Sequence, residues 1–334
     1  MSASTVSSCE PVFKELRSRM PRDGRRASVQ YESEPEPELV WPGKEQHLEC
    51  QSAVHDVREI ATFGEEPQDN LLVHGDVRNV LNALAYQPRL SWRYAGHASL
   101  AYLDPPFNAG NNSPHYRDRF TQSTWLSLFR DTLIGVKHIL SESGSVWVHL
   151  NDAEQHRARC VLDEIFGAEN FVATIIWDKT PGPRPNANPI AIRHEYLHVY
   201  RKSKSFTVRS AERLDTIWSY QEVGAGRTAS AESRRLFDEP FSTPKPERLL
   251  ERIIRAATEP GDIVVDCFAG SGTAAAVAHK LGRRWVAVES QERTVRDFIL
   301  PRFTQVITGT DQNGISKTTG WAGGGGFTVA TTMT

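Results

Sequence analysis

Four consecutive residues, Asp104-Pro105-Pro106-Phe107, follow directly on the apolar segment Ser-Leu-Ala-Tyr-Leu. The two prolines remove two backbone donors and hold the chain extended, so the carbonyl groups beside them lack ladder partners. A carboxylate and a bare carbonyl, each about 3 Å from one amino group, can each accept one of its hydrogens. The nitrogen lone pair then leaves conjugation with its ring and points at an electrophile, while Phe107 can stack on that ring. The motif therefore predicts transfer of a methyl group to an exocyclic amine, without a covalent nucleophile.

A second motif, Phe268-Ala269-Gly270-Ser271-Gly272, lies between an apolar strand pattern and a helix pattern. Its two glycines permit a sharp turn and close approach of the backbone to a ligand. The helix N-terminus behind them can support a polar or anionic group. Glu289 ends the next apolar segment, where acidic side chains meet ribose hydroxyls in nucleotide sites. The loop also fits the fingerprint G-x-G-x-x-[GA], so by itself it leaves NAD, FAD and S-adenosylmethionine open as ligands.

The Asp-Pro-Pro-Phe strand end separates these alternatives. A dehydrogenase has no need of such a strand end, and a cytosine-C5 methyltransferase would need a nucleophilic cysteine in a comparable loop. Cys160 lies on a predicted helix and Cys267 at a predicted strand end, and neither follows a proline. The two motifs together therefore favour methyl transfer from S-adenosylmethionine to an amino group of a base.

Apolar strand patterns alternate with amphipathic helix patterns from Leu71 to about Val306. One helix is marked by apolar residues at three- and four-residue spacing from Trp125 to Leu140. Alternation of this kind predicts a mostly parallel sheet with helices on both faces. The predicted strands are LLVHGD, SLAYLD, SVWVHL, FVATIIW, YLHVY, DIVVDCF and RWVAVE.

Together the two motifs resemble the amino-methyltransferases of DNA in the permuted, or β, order, where the catalytic strand end comes first and the cofactor loop last. Phe107 stands where Tyr is usual, and Cys267 where Pro is common. Further segments look like the methylating (Mod) subunits of type III restriction–modification systems and their solitary relatives, over about residues 70–327. These segments are HGDVRNVL, STWLSLFRDTL, GSVWVHLND, LDEIFGAENFVATIIW, HEYLHVYRK, TPKPERLLERII and GISKTTGWAGGGGF.

The resemblance implies an α/β, Rossmann-like fold of the S-adenosylmethionine-dependent methyltransferases, circularly permuted and carrying a small recognition insert. Alternating Pro and Glu can neither form a helix nor bury much apolar surface, so we expect disorder over residues 1–40. Five segments are expected: a polar, partly disordered extension over 1–68, a catalytic half over 69–178, a short target-recognition segment over 179–242, a cofactor-binding half over 243–308 and a Gly/Thr-rich tail over 309–334.

The resemblance also assigns site residues. Asp104 and the carbonyl of Pro105 or Pro106 would accept from the amine of a flipped base, and Phe107 would stack on it. Glu289 would hold the ribose hydroxyls, while Asp76 and the segment Thr243–Pro246 would close the methionine side. The expected cofactor-binding residues are Asp76, Thr243, Lys245, Pro246, Asp266, Phe268, Ala269, Gly270, Ser271, Gly272, Thr273 and Glu289. No metal is expected.

The net charge of −2 requires that any DNA contact come from a local basic face. Residues 179–209 are rich in Lys and Arg and contain one acid, Glu195, although a solvated strand face would give the same charge run. His194 and His198 lie on a predicted strand, so their spacing does not indicate the metal site of a helix. The candidate DNA-binding residues are Lys179, Arg184, Arg193, Arg201, Lys202, Lys204 and Arg209.

The resemblance implies a site-specific DNA methyltransferase acting on N6 of adenine, because in that family Asp at the first motif position favours adenine, whereas Ser is commoner in enzymes acting on cytosine N4. The alternatives left open are a cytosine-N4 methyltransferase, a Rossmann oxidoreductase using NAD or FAD, and a non-catalytic DNA-binding subunit. Double-stranded DNA is the expected partner, and the family leaves a restriction subunit and a homodimer open. Methylation of RNA or protein is disfavoured, since those relatives usually carry Asn at the position of Asp104.

Cysteine spacing and hydropathy predict the compartment. The four cysteines are widely spaced and form no C-x-x-C pair, which favours neither a zinc site nor a disulfide framework. A reducing cytoplasm fits this pattern. No apolar run approaches the length of a membrane span, so we expect a cytoplasmic protein that does not contact a membrane.

Overall fold

A mixed ten-stranded sheet runs through the described part of the chain. The computed structural model describes residues 37–45, 56–65, 69–110, 115–182, 190–210 and 213–333. All the elements belong to one unit, Glu38–Thr334, and the expected disorder of residues 1–40 lies outside the described residues except for the last four. The strands are β1 (Val57–Gly64), β2 (Leu71–His74), β3 (Ala98–Leu103), β4 (Leu140–Leu150), β5 (Phe171–Asp178), β6 (His194–Arg201), β7 (Ile217–Ser219), β8 (Ile263–Asp266), β9 (Arg284–Glu289) and β10 (Gly326–Thr332).

The strand order is β1-β10-β2-β9-β8-β3-β4-β6-β5-β7. The six strands from β10 to β4 in this order are all parallel, whereas β6 is antiparallel to both of its neighbours and β1 is antiparallel to β10. The predicted mostly parallel α/β sheet is therefore confirmed. The carboxyl ends of β2, β9, β8 and β3 meet along one edge of the sheet, defined by His74, Glu289, Asp266 and Leu103, which we call the carboxyl edge.

Helices cover both faces of the sheet. Alternate strand residues enter two separate cores, with Val73 and Ala101 on one face and Leu72 and Leu100 on the other, as the two-residue period of a strand requires. No helix in the described ranges is both long enough and apolar enough to cross a membrane. The helices are α1 (Val77–Tyr86), α2 (Pro88–Tyr94), α3 (Gln122–Ile139), α4 (Gln155–Phe166), α5 (Tyr220–Val223), α6 (Gly226–Leu236), α7 (Glu247–Ala257), α8 (Thr273–Lys280), α9 (Glu292–Thr294), α10 (Leu300–Ile307) and α11 (Ser316–Thr319), with a π-helical turn at Val295–Ile299.

Strand β1 lies in the segment 1–68, which the sequence predicted as a polar extension, and strand β10 lies in the predicted tail. Strand β10 lies in the segment 309–334 and inserts between β1 and β2, where it pairs Thr328 with Leu71. Phe327 of β10 stacks on Phe63 of β1 with ring centroids 5.1 Å apart. The glycines and threonines of this segment hide the strand because they lack an apolar pattern, although β-branched Thr suits a strand.

The short segment 38–45 also packs on the folded core. Trp41 is 5% exposed, and its indole N–H donates to Ser127 Oγ on α3 at 3.0 Å. The buried Arg130 guanidinium donates to the Lys44 carbonyl oxygen. One tryptophan in a polar segment has no periodicity, so sequence patterns could not place it against α3.

Replacing Trp41 by alanine is expected to lower the free energy of unfolding by about 3 kcal/mol, because the change leaves a cavity against α3. Urea denaturation of the two proteins measures this difference. Trp92→Ala is the matched control, since Trp92 is 66% exposed and its loss should cost less than about 0.5 kcal/mol. Equal stability losses in the two variants would contradict the packing of the 38–45 segment.

Candidate active site

The two sequence motifs meet at the carboxyl edge. Asp104–Phe107 follow β3, which pairs with β8 so that Tyr102 lies opposite Asp266. A cleft of about 1340 Å³ opens along this edge. Its lining includes all four residues of the Asp-Pro-Pro-Phe motif together with Phe268, Gly270 and Glu289. Parallel strands thus bring residues that are far apart in sequence to the position where α/β folds bind ligands.

The Asp104 carboxylate has one paired oxygen and one unpaired oxygen. Its Oδ2 accepts a hydrogen bond from Lys245 Nζ at 2.6 Å. Its Oδ1 is buried and has no hydrogen-bond partner among the described residues. Burial opposes the charge on Lys245, but Asp104 and Glu195 raise the pKa of its ammonium above the usual value. An unsatisfied buried acceptor costs about 1–3 kcal/mol, which a ligand N–H would recover.

The two proline carbonyls of the motif differ in their hydrogen bonding. The indole N–H of Trp125, buried on α3, donates to the Pro106 carbonyl at 2.7 Å. No donor from the described ranges reaches the Pro105 carbonyl. The carbonyl that is open to a ligand amine is therefore that of Pro105. The sequence could not distinguish the two prolines, because the difference comes from the contact of Pro106 with Trp125, 19 residues away.

Phe107 borders the cleft beside a cation and an imidazole. Lys245 Nζ lies 5.0 Å from the centroid of its ring, and the His149 ring centroid lies 6.1 Å away. The next residue, Asn108, has a φ of 53°, and its backbone N–H donates to Asp118 Oδ1 at 2.8 Å. This left-handed turn, which Asn tolerates better than most residues, takes the chain away from the motif. Phe107 is thus in place to stack on a planar ring.

A line of buried polar groups lies close to Asp104 and Phe107. The Tyr102 hydroxyl lies 3.0 Å from His149 Nδ1, and His149 Nε2 lies 2.8 Å from Glu195 Oε2. Glu195 also pairs with Lys179. Burial disfavours its charge, yet His149, Lys245 and Lys179 hold the pKa of Glu195 well below its usual value. Glu195 is therefore ionised at neutral pH and balances the two lysines near the cleft.

Glycine is required at two positions of the cofactor loop. Gly270 has a φ of 51° and Gly272 a φ of 76°, both in the left-handed region that disfavours other residues. A Cβ on Gly270 would lie 3.3 Å from the Phe241 ring, and one on Gly272 would lie 3.3 Å from Ile299 Cγ2. The loop therefore makes the sharp turn that the sequence predicted and leads into α8.

Two acids at the ends of neighbouring strands face this loop. Glu289 accepts backbone N–H bonds from Gly270 at 3.0 Å and from Gln291 at 2.8 Å, yet burial raises its pKa to about 7. Asp266 accepts the Phe268 N–H at 3.3 Å, and burial raises its pKa to about 8. A cationic ligand would stabilise the ionised forms of both carboxyls.

The other expected cofactor residues divide between the cleft and its surroundings. Asp76 caps α1 and borders the cleft, and Arg78 lowers the pKa of its carboxyl although burial works in the opposite direction. Thr243 Oγ1 borders the cleft 3.1 Å from the Tyr116 hydroxyl, whereas Pro246 caps α7. A water-sized cavity of about 30 Å³ adjoins the loop. Its lining includes Asp104, Lys245, Asp266, Ala269, Ser271 and Thr273.

The seven basic residues expected to bind DNA do not form one surface. Arg184 lies outside the described residues, and Arg193 pairs with Asp178 at 2.8 Å. Strand β6 runs antiparallel to β4, so it leads away from the carboxyl edge. Arg201, at the end of β6, therefore lies at the opposite edge of the sheet. There Lys202 Nζ donates to the Leu140 carbonyl at 2.7 Å. The structure does not bring Arg201, Lys202, Lys204 and Arg209 to the cleft.

Sequence reasoning missed four arginines that border the cleft, Arg78, Arg117, Arg227 and Arg234, of which Arg78 pairs with Asp76. Two of them lie on α6, within the segment 179–242 that the sequence predicted to recognise the target. Their spacing of seven residues, which places both on one helix face, is the signal that could have identified them.

Comparison with known families and proteins agrees with this geometry. The family model described as "DNA methylase", for N6 and N4 methylases, matches residues 98–299. This range includes both the Asp104–Phe107 strand end and the Phe268–Gly272 loop. The DNA adenine methyltransferase YhdJ of Escherichia coli K12 is 24% identical over 70% of this chain and 82% of that protein.

Two further proteins extend the comparison. The StyLTI Mod subunit of a type III restriction–modification enzyme from Salmonella typhimurium is 22% identical over 75% of this chain and 54% of that protein. The chain thus spans about half the length of this Mod subunit and of the HindVI Mod subunit of Haemophilus influenzae. The solved PvuII DNA methyltransferase, described as cytosine-N4-specific, superimposes with a TM-score of 0.54 at 19% identity, over 72% of this chain and 90% of that one. This likeness confirms the methyltransferase fold.

Proposed function

Because this chain belongs to the family of N6/N4 DNA methylases, we propose that it methylates N6 of adenine in double-stranded DNA, using S-adenosylmethionine. The observation that carries this proposal is the pair of open acceptors at one strand end, Asp104 Oδ1 and the Pro105 carbonyl. An exocyclic amine has two hydrogens to donate, and two acceptors at this position match that requirement.

The residues around the cleft fit S-adenosylmethionine, which would supply an electrophilic methyl group on a sulfonium. Glu289 is in position to accept from ribose hydroxyls, as acids at this strand end do in nucleotide sites. The left-handed turns at Gly270 and Gly272 allow the backbone to approach the ligand closely. The raised pKa values of Glu289 and Asp266 suit a cationic ligand, because its charge favours the ionised carboxylates.

The chain's own residues then orient the target base. A base inside a duplex is out of reach, so it is flipped into the cleft at a cost of a few kcal/mol. Asp104 Oδ1 and the Pro105 carbonyl accept the two amine hydrogens, which frees the lone pair for attack, and Phe107 stacks on the ring. Lys245 holds Oδ2, so that Oδ1 is the acceptor left for the amine. Positioning of this kind supplies several kcal/mol of the rate acceleration. The proton released from the methylated amine passes to Asp104 Oδ1.

Adenine rather than cytosine is supported by Asp104 itself, because Ser is commoner at this motif position in cytosine-N4 enzymes of the family. The similarity to a protein named as a DNA adenine methyltransferase supports the same base. Cytosine N4 is the second candidate, since its amine presents the same two hydrogens. The NAD or FAD alternative is overturned by a family match that spans both motifs.

Nucleoside analysis tests the proposal directly. Purified protein is incubated with unmethylated DNA and S-adenosylmethionine carrying a labelled methyl group, and the DNA is digested and its nucleosides separated. We expect the label in N6-methyladenine. Label in N4-methylcytosine would overturn the base but keep the reaction. Unlabelled DNA after incubation with folded protein that binds the cofactor would contradict DNA methylation.

Cofactor affinity is expected to rise with pH. The pKa of Glu289 is about 7 in the free protein, so near pH 6 most of this carboxyl is protonated and accepts hydrogen bonds poorly. Apparent affinity falls in proportion to the competent fraction, so we expect a Kd about tenfold higher at pH 6 than at pH 8. Isothermal titration calorimetry with S-adenosylmethionine at both pH values measures the change.

The matched control for this titration is Glu292→Gln, which changes an exposed carboxylate three residues away and should keep the pH dependence. Glu289→Gln should bind weakly at both pH values and show a smaller pH dependence, because Asp266, whose pKa is about 8, still titrates in this range. A wild-type Kd that is the same at pH 6 and pH 8 would contradict the titration of Glu289 in this range as the control of cofactor binding.

A further inference from the structure

Helix α6 presents a basic face to the cleft. The residues of α6 that border the cleft are Gly226, Arg227, Ser230 and Arg234. The opposite side of the helix is buried in the protein through Ala229, Glu232, Ser233 and Leu236. Residues seven apart return to the same face after two turns, so Arg227 and Arg234 point to the same side. The burial pattern therefore fixes which guanidinium groups face the cleft.

Acids near the cleft do not neutralise these arginines. Arg227 and Arg234 are exposed, and within the described ranges neither forms an ion pair with a carboxylate. Three of the five acids that border the cleft are paired with other cations, since Arg78 pairs with Asp76, Lys245 with Asp104 and Lys179 with Glu195. The other two, Asp118 and Glu289, accept backbone N–H bonds, and no ion pair joins these two described carboxylates to Arg227 or Arg234. The two guanidinium groups are thus charges that the folded chain itself leaves uncompensated.

Helix α6 is anchored at both ends. Immediately before it, the indole N–H of Trp177 donates to the Gly224 carbonyl at 3.0 Å. At its other end, Gln305 Nε2 donates to the Leu236 carbonyl at 3.0 Å. An anchored helix holds its side chains in place before a ligand binds, which reduces the entropic cost of binding.

A third arginine that forms no ion pair with a described carboxylate borders the same cleft from a different segment. Arg117 lies in the loop that follows the catalytic motif and is exposed. Its guanidinium lies 4.8 Å from the Phe120 ring centroid, and its Nε donates to the Arg119 carbonyl at 3.0 Å. The cleft therefore has arginines on two elements that are distant in sequence.

We propose that Arg227 and Arg234 of α6, together with Arg117, bind the phosphates that flank the flipped nucleotide. This inference rests on the proposed function and assigns its DNA contacts to α6 rather than to residues 201–209. Guanidinium groups match phosphate oxygens in bidentate geometry. Seven helix residues rise about 10 Å, the axial length of about three nucleotides of one strand. Because the chain is slightly acidic overall, such a local patch must supply the phosphate attraction.

The double variant Arg227→Gln/Arg234→Gln tests this surface. Glutamine forms helices nearly as well as arginine, so α6 should persist. Binding of a fluorescein-labelled unmethylated duplex is followed by anisotropy over a range of salt concentrations. At low salt we expect the Kd of the double variant to be roughly tenfold higher than that of the wild type. The slope of log affinity against log salt concentration should be smaller in magnitude by about two. The affinity for S-adenosylmethionine should not change.

Arg235→Gln is the control on the same helix, because Arg235 is exposed but does not border the cleft. It should keep the wild-type Kd and salt slope. The competing surface is tested by Lys204→Gln, and a loss equal to that of the α6 double variant would overturn the inference. A double variant with the wild-type Kd and slope would overturn it as well.

The two proposals fail in different ways. Wild-type protein that binds the duplex but leaves no methyl group on any DNA would contradict the proposed function, and the effect of the α6 variant on Kd would still be readable. Wild-type protein that methylates DNA, beside an α6 double variant that binds and methylates equally well, would remove only the α6 assignment.

Discussion

Asp104→Ala is expected to lower the single-turnover rate of methyl transfer by about 10³-fold. The change removes one of the two acceptors that orient the amine, and loss of one preorganised hydrogen-bonding group at a reacting atom costs about 10²–10³-fold. It also removes the acceptor for the released proton and leaves the buried Lys245 ammonium without its 2.6 Å partner. Rapid-quench measurement with saturating cofactor and DNA gives this rate.

The conservative variant separates orientation from charge. Asp104→Asn keeps an acceptor oxygen but loses the ion pair with Lys245, so we expect a loss smaller than that of Asp104→Ala. Asp297→Ala, which changes an aspartate that does not border the cleft, is the control and should keep the wild-type rate. A rate for Asp104→Ala within about threefold of wild type would contradict the role of Asp104 in orienting the amine.

Glu247→Leu is expected to lower the free energy of unfolding by about 4 kcal/mol, the largest stability effect that we predict. Glu247 is 0% exposed at the start of α7. Its two carboxylate oxygens lie 2.9 Å from Lys280 Nζ, and Oε1 lies 2.7 Å from Arg302 Nη2. Leucine would leave the Arg302 guanidinium buried without a carboxylate. The Lys280 ammonium would retain one ion pair, with Asp311, whose Oδ2 lies 2.6 Å from Lys280 Nζ.

This buried cluster also supports the cofactor loop. Arg302 donates to Thr273 Oγ1 at 2.8 Å and to the Ser271 carbonyl at 3.4 Å, so its orientation affects the backbone beside Gly272. We therefore expect Glu247→Leu to weaken binding of S-adenosylmethionine under conditions in which the protein is still folded. The network joins α7, α8 and α10, which are far apart in sequence but adjacent in the core.

Urea denaturation measures the stability loss. The control is Glu251→Leu, one helical turn further along α7, where Glu251 forms a surface pair with Arg255 at 3.0 Å. A surface pair of this kind contributes less than about 1 kcal/mol. If the two variants lost the same stability, the result would contradict a stabilising role of the buried Glu247 cluster.

The parts of the site that the sequence predicted are those encoded locally. The Asp-Pro-Pro sequence ends a strand whatever lies around it, because prolines cannot continue a ladder. Gly270 and Gly272 mark a turn because only glycine adopts their left-handed conformation readily. Parallel strands then bring both motifs to one edge, so a fold predicted from alternating strands and helices was sufficient to place them together.

The parts that the sequence did not predict depend on contacts between distant residues. The contact between Lys245 and Asp104 joins residues 141 positions apart, and the Trp125 contact that occupies the Pro106 carbonyl is equally invisible in a local pattern. The charge run over 179–209 was counted along the chain, but β6 carries its second half to the far edge of the sheet. A run of charged residues in the sequence forms one charged surface only where those residues stay on the same side of the folded protein.

The most direct test of the central claim is to express the protein in a host without DNA methylation and to sequence that host's genome by a method that reports N6-methyladenine and N4-methylcytosine in context. We predict N6-methyladenine within one fixed short sequence, and its absence when the Asp104→Ala variant is expressed. A genome without modified bases, despite folded protein that binds S-adenosylmethionine, would contradict the account, as would methylation that persists in the Asp104→Ala strain.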